Sequence, residues 1–164
     1  MSRGYCYEIS TNPDLYPIGC LAPSDVYESH PYDVSTALDA TDPEGLVLDL
    51  LERWKAHGAT VKPSVLSEND EWRRGKIFAV MFPWDFRHSY FANDFENLRK
   101  MVQDLTLEEF ATSTSKLDAI QTAIEDESDL ICLDSCFYTI DSFLRDVRPD
   151  TVYYIATSSV LIID

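Results

Sequence analysis

The sequence is short of glycine, histidine and positive charge, and each shortage argues against a class of function. Its 164 residues include five glycines, Gly4, Gly19, Gly45, Gly58 and Gly75, each isolated from the others. Loops that cradle phosphate cluster glycine so that backbone amides can close on the anion. A Rossmann or P-loop nucleotide site is therefore not expected. The three histidines, His30, His57 and His88, fall in different predicted elements. No GxSxG elbow, HExxH helix or HxE-with-CxxC pattern occurs, which removes the motif-marked hydrolases, zinc proteases and deaminases. No apolar run approaches the roughly 20 residues that span a bilayer. The first ten residues, MSRGYCYEIS, lack the basic-then-apolar order of a signal peptide. The expected setting is the cytoplasm, away from membranes.

Cysteine is present but not in metal-binding array. Cys132 and Cys136 stand four apart, and Cys6 and Cys20 fourteen apart, whereas structural zinc sites pair ligands as CxxC. Reduced thiols behaving as small buried apolar side chains are the expectation, with no metal and no other cofactor. The acidic runs Glu68-Asp70-Glu71 and Glu125-Asp126-Glu127-Asp129 lack the fixed spacing and central glycine of an EF-hand.

Acid is in excess. Twenty-nine Asp and Glu stand against thirteen Lys and Arg, for a net charge of −16. The excess is uneven: residues 1–52 carry −9, residues 53–100 carry +3 and residues 101–164 carry −10. A field of this sign repels nucleic acid and anionic membranes, so direct nucleic-acid binding is not expected. The charge has two readings, a device that keeps the protein dispersed or a surface made for a basic partner.

Hydrophobic residues make up 45% of the chain and aromatics 12%, the composition of a packed globule. At this length one domain, 1–164, is expected. Lys76 to Trp84, KIFAVMFPW, is apolar on both alternating faces and predicts a strand inside the sheet and not at its edge. Tyr5, Tyr7 and Ile9 mark a first strand over 3–10, and four prolines make 11–33 a long loop. Residues 43–57 form an amphipathic helix, with Asp42 as cap, Pro43 at the first position and Gly58 at the stop. A strand follows over 59–66, where Pro63 marks an edge. Phe91, Phe95, Leu98, Val102 and Leu105 form the apolar stripe of a helix over 91–105. Thr106 and Glu109 spell a capping box; smaller helices are expected near 115–125, started by Ser115 with Asp118 and with Leu117, Ile120 and Ile124 on the buried side, and near 140–147, stopped by Arg148-Pro149-Asp150. Leu130–Leu133 and Cys136–Thr139 read as a hairpin, with a continuous helix as the competitor. Residues 151–164 form two strands or one long bent one. The fold class is α+β: a mixed, largely antiparallel sheet of five or six strands covered by helices near 43–57 and 91–105.

For catalysis the candidate stretch is Trp84–Tyr90, where Asp85, Arg87 and His88 put an acid, a guanidinium and an imidazole in one loop. For binding, Asp25, Glu28, Asp33, Glu125, Asp126 and Glu127 lie in predicted loops or helix tips of the two acidic segments. The leading expectation is a non-catalytic acidic protein that binds or inhibits a basic partner protein. Small acidic inhibitors, immunity proteins and DNA mimics use the same physics, by analogy of charge alone. The alternatives are a small enzyme using the 84–90 loop and a housekeeping domain whose charge only confers solubility.

Overall fold

The structure, a computed structural model, describes residues 4–13, 38–64, 76–125, 129–134 and 136–163. In chain order the elements are β1 (Gly4–Ser10), β2 (Leu38–Asp39), α1 (Pro43–Ala56), β3 (Thr60–Ser64), β4 (Ile77–Met81), α2 (Phe86–Tyr90), α3 (Ala92–Gln103), α4 (Leu107–Thr112), α5 (Thr114–Glu125), β5 (Leu130–Leu133), β6 (Cys136–Thr139), α6 (Ile140–Asp146) and β7 (Tyr153–Ile163). Among the described residues no helix is long and apolar enough to cross a membrane.

The seven strands form one open, mixed sheet in the order β3-β4-β7-β1-β5-β6, with β2 also paired to β7. The α+β class stands, with one strand more than expected because two-residue β2 joins. The long run after Pro149 is one strand, and it is the spine: β7 pairs antiparallel with β4, β1 and β2. A register shift between Tyr7 and Ile9 of β1 lets so long a strand bend. β4 lies between β3 and β7, so it is an interior strand, although β7 takes the centre. The edge expected from Pro63 is where β3 lies.

Local chemistry explains the elements. Asp42 accepts the Gly45 amide at 3.0 Å, and a Cβ on Gly45 would sit 2.3 Å from that carboxylate. Gly58 ends the turn after α1 at φ +97°, a backbone that side chains resist. Thr106 Oγ1 accepts the Glu109 amide, the N-cap half of the capping box, and donates to the Glu109 carboxylate, both at 3.1 Å. Thr139 Oγ1 accepts the Ser142 amide at 3.2 Å and starts α6. Leu130↔Thr139 and Leu133↔Cys136 pair as the hairpin requires, with Asp134 turning at φ +47°. The helical competitor for 130–139 is thereby removed.

One face of the sheet carries the main core. Tyr7, Ile9, Val80, Ile131, Tyr153, Ile155 and Val160 meet Val47, Leu50, Leu51 and Trp54 of α1, and Ile140, Phe143 and Leu144 of α6. Aromatic edges knit it: Trp54–Phe82 centroids are 5.2 Å apart, Phe82–Phe86 4.8 Å and Phe143–Tyr153 5.3 Å. On the opposite face Ile77 and Ala156 form a small cluster with Tyr154.

The second cover differs from expectation. The 91–105 segment breaks at Phe91, which is buried, while α3 itself buries no residue. Its stripe side chains Phe95 and Val102 are 46% and 52% exposed, and α3 packs on α5 and α2. On the main core face the cover beside α1 is α6. Leu117 and Ile120, expected on the buried side of α5, are exposed and half-buried. That helix begins at Thr114, where Ser113 Oγ accepts the Lys116 amide at 3.4 Å, one turn fraction earlier than the Ser115 start expected. Helices α3, α4 and α5 thus form an arm beside the sheet.

Candidate functional site

Strand direction decides where loops converge. β1 and β5 are parallel neighbours, and β1 and β4 are each antiparallel to β7. The carboxyl ends of β1, β4 and β5 therefore share one edge of the sheet, together with the start of β7. Ser10–Thr11, Phe82–Tyr90, Leu133–Asp134 and Thr151–Tyr153 gather there. The loop picked out after β4 is at this edge, as are groups that the sequence did not mark.

Two clefts open along the edge, and both are lined by Asp146, the last residue of α6. The larger, about 490 Å³, lies beyond β4. Arg87, His88 and Arg145 line it over an apolar wall of Phe91, Phe95 and Leu98, with Asp94 at its side. The Arg145 guanidinium lies 5.4 Å from the centroid of the Phe91 ring, a cation–π contact. Arg87 and His88 thus do come together with other polar groups. Asp85 does not line this cleft, and its side chain makes no capping hydrogen bond to α2. Phe86 is buried beneath the loop, whereas Trp84 is 79% exposed.

The smaller cleft, about 330 Å³, lies outside β1 and β5. Thr11 follows the end of β1 and Leu133 ends β5; Tyr138, Ser142, Phe143, Arg148 and Tyr153 are among the other walls. Its rim is tied by Asp134. That carboxylate accepts Ser10 Oγ and Thr11 Oγ1, each at 2.7 Å, and the Thr11 amide at 3.2 Å, while the Asp134 amide donates to Ile9 O at 3.2 Å. Burial pushes the Asp134 carboxyl up, but the Thr11 and Ser10 hydrogen bonds prevail and hold it below the usual carboxylate range. Across the mouth, the Arg148 amide donates to Tyr153 Oη at 3.1 Å. This fixes the backbone from which the Arg148 side chain projects.

No family model matches the chain, and no curated protein or solved structure shows a significant match to it.

Chemistry at this edge is that of hydrogen bonding and charge. One imidazole–hydroxyl pair lies nearby, His57 Nδ1 and Ser89 Oγ at 2.8 Å. The imidazole stands edge-on to Phe86 and Tyr90, so the pair docks α2 on the end of α1. Among the described residues no three His, Cys, Asp or Glu side chains converge as metal ligands do. Cys6, Cys132 and Cys136 form no disulfide; burial first, then Cys132 and Glu8, push the Cys6 thiol up and leave it unreactive. Asp25, Glu28, Asp33, Asp126 and Glu127 lie outside the described residues, and Glu125 is the last residue of α5. Arg145, Asp146 and Arg148 were missed because Arg148-Pro149-Asp150 reads only as a helix stop. The antiparallel pairing of β7 with β1 and β4 brings that stop, just before β7, to the strand ends.

Proposed function

We propose that the protein is a non-catalytic binding protein that engages a basic partner protein, and that the arm α3–α5 carries the contact. One observation supports this above the rest. Leu107 is 85% exposed and Phe110 60%, and Phe95, Val102 and Leu117 on the neighbouring helices are exposed too. Five large apolar side chains on three consecutive helices are more than scattered surface hydrophobics. Aromatic anchors within a polar rim are the usual makeup of a protein interface.

The rim selects the partner. Two of the arm's three cations are used internally, with Lys100 the exception: Arg99 pairs with Glu96 at 3.6 Å, and Lys116 pairs with Glu109 and links α4 to α5. Asp94, Asp104, Glu108 and Asp118 have no cationic partner among the described residues. The complement is a surface that presents apolar anchors among Lys and Arg. Electrostatic attraction then sets the encounter rate and its salt dependence, and the apolar anchors set the lifetime.

The test uses matched baits, the wild-type chain and the double variant Leu107→Ser, Phe110→Ser, in affinity capture from native lysate. The expected outcome is a basic protein retained by the wild type at low salt, released at high salt and absent from the variant. It is then purified and its affinity for both chains measured directly. Recovery of no salt-sensitive basic protein, or equal capture by both baits, would leave the charge as a solubility device.

A further inference from the structure

We propose that the 330 Å³ cleft outside the carboxyl ends of β1 and β5 is a binding site for a small zwitterion, an α-amino acid with an apolar side chain. Position is the first argument. β1 and β5 are adjacent and parallel, so their carboxyl ends lie side by side; β5 turns back into β6, and the next described element after β1, β2, pairs with β7. The carboxyl ends of parallel neighbours are where open sheets take ligands. Thr11 and Leu133, at the two strand ends, line this cleft, and its volume is that of a small-molecule site.

Charge is the second argument. Asp146 and Arg148 both line the cleft, both are exposed, and neither is in an ion pair among the described residues. An α-carboxylate suits the planar guanidinium, which can donate two parallel hydrogen bonds to it. An ammonium suits the Asp146 carboxylate. Ser142 adds a donor: its Oγ already accepts from Thr139 Oγ1 at 3.0 Å, so its own proton is left for a ligand oxygen. Leu133 and Phe143 supply the apolar wall for a side chain. The −16 field opposes a purely anionic ligand and is indifferent to a zwitterion. This ligand site is independent of the arm.

Isothermal titration calorimetry on the full chain, with L-leucine and L-phenylalanine as probes, tests it. Saturable binding of at least one amino acid is expected. Asp146→Asn and Arg148→Gln should each weaken it about ten-fold or more, with circular dichroism unchanged because both side chains are exposed. Acetate and n-pentylamine, each carrying one of the two charges, should bind at least about ten-fold more weakly than leucine. Amide shifts in a labelled sample should localise to Thr11, Ser142 and Tyr153. The proposal is overturned by the absence of saturable heat with both amino acids, by affinity unchanged in both variants, or by acetate binding as tightly as leucine.

Discussion

The Asp134 carboxylate gathers the hydroxyls of Ser10 and Thr11 and one amide at the end of β1, from a residue turned at φ +47°. Asp tolerates that backbone because its short polar side chain bonds locally. Its pKa is lowered in the folded state, so its stabilisation is present above the unfolded value near 3.9 and is lost as pH falls through the lower folded value. Replacement by Ala should cost about 1 kcal/mol at pH 7, at the low end for charged hydrogen bonds because the residue is exposed. Urea unfolding in steps from pH 7 into acid should show that gap narrowing once pH falls below the unfolded value near 3.9; a gap of constant size would mean the turn geometry and not the charge matters. Asp129 has the opposite sign. Burial raises its pKa against the Tyr5 amide, which donates to Oδ1 at 3.0 Å, and against Arg53. Its contribution is full below the unfolded value and declines as pH rises through the folded one. Asp129→Asn keeps an acceptor for Tyr5, so the variant should equal or exceed the wild type at pH 7 and lose any advantage below about pH 4. Lower stability at pH 7 would show that the carboxylate charge is needed there.

At the scale of elements, the core and the arm should respond to truncation in opposite ways. Trp54 is fully buried against Phe82 and Phe143, so Trp54→Ala should lose about 3–5 kcal/mol. Leu107→Ser with Phe110→Ser removes two exposed side chains and should stay within about 0.5 kcal/mol per site in thermal unfolding. A large loss in the double variant would put the arm into the core and remove the reason to see it as a contact surface. A chain ending at Ser159 deletes the part of β7 that pairs with β2 and with Gly4–Tyr7 of β1. Val160 and Leu161 alone represent about 1.5–3 kcal/mol each, so that chain should be unfolded or insoluble; near-native melting would make this end of β7 peripheral. Local signals were legible in the sequence wherever they act through neighbouring residues: the Asp42 cap, the Thr106–Glu109 box, the 130–139 hairpin and Pro63 at an edge. What a stripe faces is set by tertiary packing, and periodicity cannot show it. The pattern Phe95, Leu98, Val102 is that of a sheet-covering helix, yet nothing in the spacing distinguishes a stripe on the core from one left open. The edge where Thr11, Asp134 and Arg148 meet was invisible for the same reason, since residues more than 120 positions apart join only through strand pairing.

At the scale of the whole molecule, net charge and charge placement make separable predictions. A charge of −16 repels itself in the compact state, and screening shortens the reach of that repulsion to about 8 Å at physiological ionic strength. Added salt should therefore leave folding stability level or raise it, while weakening any association with a basic partner. Two triple neutralisations divide field from face. Asp104→Asn, Glu108→Gln and Asp118→Asn remove unpaired acids from the arm; Asp25→Asn, Glu28→Gln and Asp33→Asn remove acids from one of the two segments expected, from sequence, to carry the partner together. Each set changes the net charge by three units, so a purely global field would slow association equally in both. If the arm is the contact, its triple should reduce the association rate by the larger factor and flatten the salt dependence more, because charges within a Debye length of the encounter dominate. Dissociation should change little in the arm triple, since those acids surround apolar anchors that remain. Stopped-flow association with the captured partner, at several salt concentrations, reads all of this in one series. Equal slowing would leave a field without a face, and greater slowing in the Asp25, Glu28, Asp33 variant would move the contact to the acidic segment near the start of the chain.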